Sequence, residues 1–393
     1  MRPPVTLSLS KGAFAALLVV ASLAPSGAVR GAETGCGGTL TAAQVAAIAK
    51  VADGARAAQH IAGMTIGVGR NGTLLFACGY GERDRERGLR ADGATVYPLG
   101  SITKQFTAAA VMTLAAAGKV DIDAHVAKYV PETPHGDELT VRELLDQTSG
   151  LPDYTHSIDE KKWSAAKLGL APAEYLRWID GKPLAFAPGT KFEYSNTNYM
   201  VLGMLVERVA GQPFPAYLRE HVLTPPGLTA TTYLTTYRSA PGSDATRGYA
   251  YEKAHGFKLL DDFSMAWANT AGALAAPVAD VIRWDGAFFG HRVVDAAAVT
   301  TMTTPPQLAT PMFPPTVAKA RPDIAALAHG YAFGWVVGED RGKQLVWHNG
   351  GLPGARAMNL TVPSDGLEVV VLTNTSDVAP EKIAVAVARV LGD

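Results

Sequence analysis

The chain has 393 residues, 48% of them hydrophobic and 18% charged, with a formal net charge of −1 at pH 7. That length supports one large domain or two smaller ones around a sizeable core. The near-neutral charge excludes the basic footprint of a nucleic-acid or anionic-membrane binder, and 40 Gly and 25 Pro are too few for a low-complexity chain.

Arg2 and Lys11 make a basic start, Ala13–Ala24 a short apolar core, and Ser26-Gly27-Ala28 a small-residue cleavage site. Residues 1–28 therefore read as an export signal, and the mature protein as periplasmic or secreted. The apolar run falls short of the roughly 20 residues that a stable span needs. Glu33-Thr34-Gly35 before Cys36 is not a lipobox, so no lipid anchor is expected. Cys36 and Cys78 are the two cysteines. In an exported protein an even count permits one disulfide, which would staple the mature N-terminus to a strand. Two unrelated thiols remain the alternative, because sequence carries no distance.

Thr41-x-x-Gln44 is a capping box, and a helix to about Ala57 follows. Met64–Gly69 and Thr73–Tyr80 are strand-like runs joined by Arg70-Asn71-Gly72, a hairpin signal. Gly67-x-Gly69-x-x-Gly72 formally matches a dinucleotide fingerprint, but the fingerprint needs a helix to follow and a strand follows instead. Gln105–Gly118 carries no charge and is apolar on every side of a helical wheel, so it reads as a central core helix stopped by Gly118. Thr140-x-x-Glu143 opens a short helix that stops at Thr148-Ser149-Gly150. Asp159–Leu170 reads as an amphipathic surface helix, and Phe186–Tyr194 holds a Pro188-Gly189 turn. Thr197–Ala210 is an apolar helix ended by Gly211. Residues 225–270 read as loops with short pieces of structure. Pro277 begins a helix to about Phe289. Ala332–Gly338, Gln344–His348, Arg356–Val362 and Leu367–Thr373 are strands with turn residues between them, and a last helix covers about Ala379–Leu391.

Strands near both ends with helices between them predict an α+β fold. One antiparallel sheet is built from both chain ends and flanked by helices. Residues about 40–100 and 270–393 form the sheet subdomain, and about 101–269 a mostly helical one.

The chemistry centres on the start of the core helix. Ser101 and Lys104 lie at i and i+3 and share a face. A lysine inside a core tends to lose its proton, and a serine beside such a lysine is a candidate activated nucleophile. Two further Ser-x-x-Lys spacings, Ser8/Lys11 and Ser164/Lys167, fall in the export signal and in a polar surface helix. Tyr194-Ser195-Asn196 sits on a turn before a helix, and His348-Asn349-Gly350 ends a strand whose edge can offer an N–H to an oxyanion. Tyr194 can shuttle a proton if a cation lowers its pKa, and Asn196 offers both a donor and an acceptor. Taken singly, each has a plainer reading: a packing tyrosine, a helix N-cap and a core histidine.

Ser101-x-x-Lys104, Tyr194-x-Asn196 and His348-x-Gly350, in that order, resemble the three motifs of the serine β-lactamase and penicillin-binding protein superfamily. More narrowly the chain is similar to the class C β-lactamase-related branch of esterases, D-amino-acid-specific peptidases and DD-carboxypeptidases. Leu144-Leu145-Asp146-Gln147-Thr148-Ser149-Gly150-Leu151-Pro152, Phe333-Gly334-Trp335, Gly350-Gly351-x-Pro353-Gly354 and Val369–Asn374 extend the resemblance over nearly all of the mature chain. The resemblance implies that Ser101 is acylated and that Lys104 holds or receives its proton. Tyr194 would relay that proton to the leaving group and later activate water. Asn196 would orient Lys104 and bind a substrate amide, and His348 would sit against Tyr194 in place of a lysine. The N–H groups of Ser101 and Gly351, next to Gly350, would form the oxyanion hole.

There are departures. The chain holds no Lys-Thr-Gly and no Ser-Asp-Asn, and Asn349 and Gly351 stand where relatives often place hydroxyls that grip a substrate carboxylate. Gln147 stands where the branch often has His. These departures argue against an efficient β-lactamase and favour an ester, amide or D-amino-acid peptide. The expectation is an exported serine hydrolase acting on a small-molecule or peptide substrate, with no cofactor and no nucleic-acid partner. A class C-type β-lactamase, a DD-carboxypeptidase and a non-turnover cell-wall peptide binder are the alternatives. The nine His form no metal-ligand motif, and nothing in the sequence speaks to oligomeric state.

Overall fold

A computed structural model describes residues 36–157, 169–237, 244–313, 318–319 and 322–392. The export signal and nearly all of the expected surface helix Asp159–Leu170, with Ser164/Lys167, lie outside the described residues.

Among the described residues, nine strands form the main sheet: β1 (Gly37–Gly38), β2 (Gly63–Arg70), β3 (Thr73–Asp84), β4 (Leu89–Arg90), β5 (Gly330–Tyr331), β6 (Val336–Asp340), β7 (Lys343–Leu352), β8 (Ala355–Val362) and β9 (Leu367–Thr373). Their order is β1-β3-β2-β9-β8-β7-β6-β5, with β4 on β3, and every pairing is antiparallel. The two ends of the chain meet where β2 pairs with β9, Met64 opposite Thr373 and Arg70 opposite Leu367. The helices used below are α1 (Ala42–Gln59), α2 (Thr103–Ala116), α3 (Val141–Leu145), α4 (Asn196–Ala210), α5 (Asn269–Gly272), α6 (Val278–Phe289) and α7 (Pro380–Gly392).

β9 reads Leu-Glu-Val-Val-Val-Leu-Thr because both faces of the sheet are covered. Its side chains alternate with period two. Val369 and Val371 join Met64, Ile66 and Val68 against α1 and α7, through Ile48, Ala52, Ile383 and Val387. Val370 and Leu372 face the other way, onto Val278, Val281 and Ile282 of α6 and the helical region. The glycines of the rejected dinucleotide fingerprint have a packing role here. A Cβ on Gly67 would stand 2.7 Å from Val278, one on Gly69 2.3 Å from Ile282, and one on Gly72 2.7 Å from Gly286. Only a bare backbone lets α6 lie this close to β2.

The capping boxes at Thr41 and Thr140 both form. α3 is shorter than expected: it ends at Leu145, and Gln147 turns the chain with φ 64°. Within 225–270 the described residues carry ladders of two to four residues, such as Tyr249–Glu252 on Gly256–Leu259. β1 sets Gly37 opposite Ala77, and the neighbouring Cys36 and Cys78 form a disulfide.

Two strand expectations are corrected. The strand expected from Ala332 starts at Val336, because Ala332 N–H donates to the Trp335 carbonyl and Gly334, at φ 81°, presses on α2. A Cβ on Gly334 would lie 2.8 Å from the Gln105 Cα. β7 does not end at His348 but runs on to Leu352, held by β8 on one side. On its other side β6 reaches only to Trp347, opposite Val336, so beyond that point β7 has a free edge toward α2. Among the described residues, no helix is long and apolar enough to cross a membrane.

Candidate active site

Ser101 lies in a single 3-10 turn, Gly100–Ile102, that leads into α2. Along α2 the stretch Thr103–Met112 is buried, Lys104 completely. Lys104 Nζ lies 3.1 Å from Ser101 Oγ and donates to Asn196 Oδ1 and to the Ala271 carbonyl of α5, each at 2.8 Å. Burial lowers its pKa to about 7, against an opposing pull from the charge of Asp153. A neutral amine has two hydrogens and one lone pair. With the hydrogens on Asn196 and Ala271, the lone pair is left for the Ser101 hydroxyl.

Asn196 is the first residue of α4 rather than its N-cap; Ser195 occupies that place, without a side-chain cap. The Asn196 Nδ2 donates to Asp153 Oδ2 at 2.9 Å and its backbone N–H to the same oxygen at 3.2 Å. This fixes the amide so that its oxygen faces Lys104. Asp153 Oδ1 accepts in turn from the Thr155 N–H and hydroxyl, both at 2.8 Å. Sequence reasoning missed Asp153. Its one signal was an acid, with Thr two residues on, directly after the Leu151-Pro152 stretch.

The turn carrying Tyr194 is held from beneath. Gln147 Oε1 accepts from the Ser195 N–H at 2.9 Å and from Asn198 Nδ2 at 2.7 Å. Ser149 Oγ donates to Asn198 Oδ1 at 2.7 Å. The Tyr194 hydroxyl is buried, and among the described residues it has no hydrogen-bond partner of ordinary geometry. Burial pushes its pKa well above 10, more than the neighbouring Ser101 pulls it down. Lys104 Nζ lies over the ring face, 4.7 Å from its centre, but with a pKa of about 7 it carries no charge where a phenol ionises and so does not draw the Tyr194 proton off. Tyr194 is therefore a neutral phenol, able to pass a proton on but not to begin as a phenolate.

His348 Nδ1 lies 2.5 Å from the Asn349 carbonyl, so Nδ1 carries the hydrogen, and Nε2 accepts from the Tyr331 hydroxyl at 3.2 Å. Burial first, and Lys104 second, push its pKa down to about 3. The ring is neutral. Its centre stands 6.1 Å from that of Tyr194, and its hydrogen bond goes to Tyr331 instead. Tyr331, on β5, is the second residue that sequence reasoning missed; it is one of 13 tyrosines and no spacing marks it.

The free edge of β7 meets the turn before α2 backbone to backbone. A Cβ on Gly350 would stand 1.9 Å from the Leu99 carbonyl oxygen and 3.2 Å from Ser101 N, and one on Gly100 2.7 Å from Gly351 N. Gly100, at φ 53°, also needs the conformational freedom of glycine. The backbone of Gly100–Ser101 and that of Gly350–Gly351 thus lie against each other. Around them opens a cavity of about 680 Å³. Phe192, Trp267, Met312, Phe313, Trp347 and Leu352 give it apolar walls, and Ser101, Tyr194, His348, Asn349 and Arg356 its polar groups. Among the described residues, no three His, Cys, Asp or Glu side chains are grouped so as to hold a metal ion.

The family model described as Beta-lactamase matches residues 48–392. "Protein flp" of Staphylococcus aureus (strain MW2) is 28% identical over 336 residues, covering 82% of this chain and 62% of that protein. The chain thus spans about three-fifths of the length of that curated relative. The structure of the octameric penicillin-binding protein homologue from Pyrococcus abyssi is 26% identical with a TM-score of 0.76, covering 89% of this chain and 78% of the other. The D-amino acid amidase from Ochrobactrum anthropi SV3, complexed with L-phenylalanine amide, has the same fold at 23% identity and a TM-score of 0.75, covering 89% and 97%.

Proposed function

Because the chain belongs to the beta-lactamase family, we propose that it is an exported serine hydrolase that cleaves an ester, amide or D-amino-acid-containing peptide through an acyl-enzyme on Ser101. The observation that carries this reading is the buried Lys104 amine, 3.1 Å from Ser101 Oγ and with a pKa lowered to about 7. A neutral amine accepts the hydroxyl proton as Oγ bonds to the substrate carbonyl carbon. The carbonyl oxygen gains the negative charge and is met by the N–H groups of Ser101 and Gly351. Lys104 passes the proton toward Tyr194, which gives its own to the departing oxygen or nitrogen. Water then attacks the acyl carbon. Its proton retraces the path, and Ser101 regains its hydrogen.

The apolar cavity walls suit a substrate with an aromatic or aliphatic body. The neutral His348 puts no fixed cation at its corner of the site, which favours the ester, amide and peptide classes over a β-lactam. Treatment with a fluorophosphonate, followed by mass spectrometry, is expected to find one adduct on Ser101. A panel of p-nitrophenyl esters, nitrocefin and D-Ala-D-Ala peptides then ranks substrates, with Ser101→Ala as the blank. No adduct on folded protein rejects the reading; an adduct without turnover on any of them selects the binding-protein alternative.

Export is supported by the composition of residues 1–28 and by the Cys36–Cys78 bond, which suits an oxidising compartment. N-terminal sequencing of protein recovered outside the cytoplasm is expected to start just after Ala28. An intact Met1 terminus confined to the cytoplasm would overturn it.

A further inference from the structure

Among the described residues, the hydrogen-bond partners of Lys104 Nζ are Ser101 Oγ, Asn196 Oδ1 and the Ala271 carbonyl, and none of these oxygens carries a charge. Asp153 is the charge that favours the ammonium form, and it stands one side chain away, behind Asn196. Acylation nevertheless creates an ammonium here, when the Ser101 proton moves to Nζ. Lys104 is completely buried, so water does not solvate that charge.

Two aromatic rings meet it instead. Nζ lies over the face of Tyr194, 4.7 Å from the ring centre, and over the face of Tyr199, 5.6 Å from the centre. Both distances fall inside the range over which the negative face of a ring attracts a cation, and the attraction grows where water is excluded. Tyr199 is fully buried and stands three residues beyond Asn196 on α4, so the two side chains share the helix face that meets Lys104. The ring is fixed at its far end, where the hydroxyl donates to the Leu145 carbonyl at 2.8 Å. The Tyr199 carbonyl accepts from Thr270 Oγ1 at 2.7 Å, next to the Ala271 that holds Nζ. Burial raises the Tyr199 pKa well above 10, so its hydroxyl keeps its proton and the ring acts by its face alone.

We propose that Tyr199 is a positioning residue of the reaction, whose ring face holds the ammonium that Lys104 becomes when it takes the Ser101 proton. The inference rests on the acyl-enzyme reading of Ser101. In that step the Ser101 O–H bond breaks, a Lys104 N–H bond forms, and Oγ bonds to the substrate carbonyl carbon. The ring exchanges no proton and no electron; it stabilises the charged side of the step. Tyr194 offers the nearer face, but it also carries the proton onward, so its variants mix two effects. Tyr199 separates them. The other titratable groups around Lys104 leave the ring effect readable. Asp153 supplies the negative charge, and Tyr194, Tyr331 and His348 are neutral at neutral pH. Asp146, raised to about 6 by burial, acts on Tyr199 rather than on Lys104.

A fluorine series at this position tests the proposal. Fluorine draws electron density off the ring face and changes the shape of the ring little. Tyr199→Phe is the reference, and 4-fluoro-, 3,5-difluoro- and 3,4,5-trifluorophenylalanine are placed at the same position by nonsense suppression. No member of the series can donate to Leu145, so that loss cancels. The direct readout is the titration of Lys104 itself, followed by NMR on lysine labelled with carbon-13 at Cε and assigned by the signal missing from Lys104→Met. Each added fluorine should lower the titration, by roughly half a pH unit to one unit over the whole series. On a p-nitrophenyl ester the acidic limb of kcat/KM should move down in the same order, and the plateau above it should fall roughly two- to threefold. If Tyr199 only packs, the titration and the limb stay put across the series, whatever the rate does between Tyr and Phe, and the proposal is overturned. A titration that rises with fluorine content overturns it too. The NMR readout needs no substrate. If no ester turns over above the Ser101→Ala blank while the titration still follows the fluorines, the hydrolase reading is what fails; a flat titration with good turnover removes Tyr199 alone.

Discussion

Asp153 acts on Lys104 through Asn196, whose Nδ2 donates to Asp153 Oδ2 at 2.9 Å while its Oδ1 accepts from Lys104 Nζ at 2.8 Å. The carboxylate also acts through space, holding the Lys104 pKa up against the larger effect of burial. Replacing Asp153 by Asn keeps most of the shape and removes the negative charge. The ammonium form of Lys104 then loses stabilisation and its pKa falls further. The acidic limb of the pH–kcat/KM profile should therefore move to lower pH in Asp153→Asn. A p-nitrophenyl ester assay across pH measures it, and a limb that stays or moves upward would contradict the assignment.

The pH profile also separates Lys104 from His348. Lys104 must be neutral to take the Ser101 proton, so activity should be low below about pH 7, rise through it and level off above. His348, held to about 3, is neutral over that whole range, and Tyr194, pushed well above 10, does not ionise within it. In His348→Asn the rate changes, because Tyr331 loses its acceptor, but the limb should remain near pH 7. Loss of the limb in that variant would place the titrating group at His348. In Lys104→Met both activity and limb should disappear.

The Cys36–Cys78 bond closes a loop with a sequence separation of 42 residues and sits at the β1 edge of the sheet. Four strands separate that edge from β7 and the site. Loop-closure entropy for this length amounts to about 4 kcal/mol at most. Cys36→Ala/Cys78→Ala should lower the unfolding free energy by up to that amount in urea titrations, with kcat/KM on a p-nitrophenyl ester unchanged. A lost activity at full stability would show that the edge reaches the site.

Much of the fold is legible because burial leaves regular patterns. The apolar wheel of α2 marks the helix that carries Lys104, and the Val369–Leu372 run marks a strand covered on both faces. β7 is harder to see. His348-Asn349-Gly350-Gly351 is a weak strand sequence, and only the pairing with β8 keeps it extended. The same limit hides Asp153 and Tyr331. Their partners are chosen by tertiary approach, as between Asp153 and Asn196, and no period records such a meeting. The glycines at 67, 69 and 72 are conspicuous in the sequence, but α6, the element they make room for, begins about 200 residues later and is visible only in the fold.

Two buried carboxyls give a stability test independent of catalysis. Asp285 on α6 is fully buried and accepts from Asn359 Nδ2 at 2.8 Å. Glu368 on β9 is 2% exposed and accepts from the Gly72 N–H at 2.7 Å. Burial, and for Asp285 also the charge of Glu368, raises both: Glu368 to about 7, and Asp285 well above its ordinary 3.8. The unfolded chain gives up the Glu368 proton near its ordinary value of 4.5, whereas the folded chain keeps it to about 7. Between these values the native state binds more protons than the unfolded state, so this group makes stability fall as pH rises through that window. Below 4.5 its contribution is fully present, and above about 7 it is gone. Glu368→Gln keeps an acceptor for Gly72 and cannot ionise; Asp285→Asn does the same for Asn359. Each should flatten the fall in unfolding free energy between about pH 5 and 8 and leave the protein more stable than wild type at the upper end. Urea unfolding at several pH values measures both. If the variants are less stable than wild type at pH 8, the carboxyls are ionised and matched to a positive partner in the fold, and the raised pKa values are wrong.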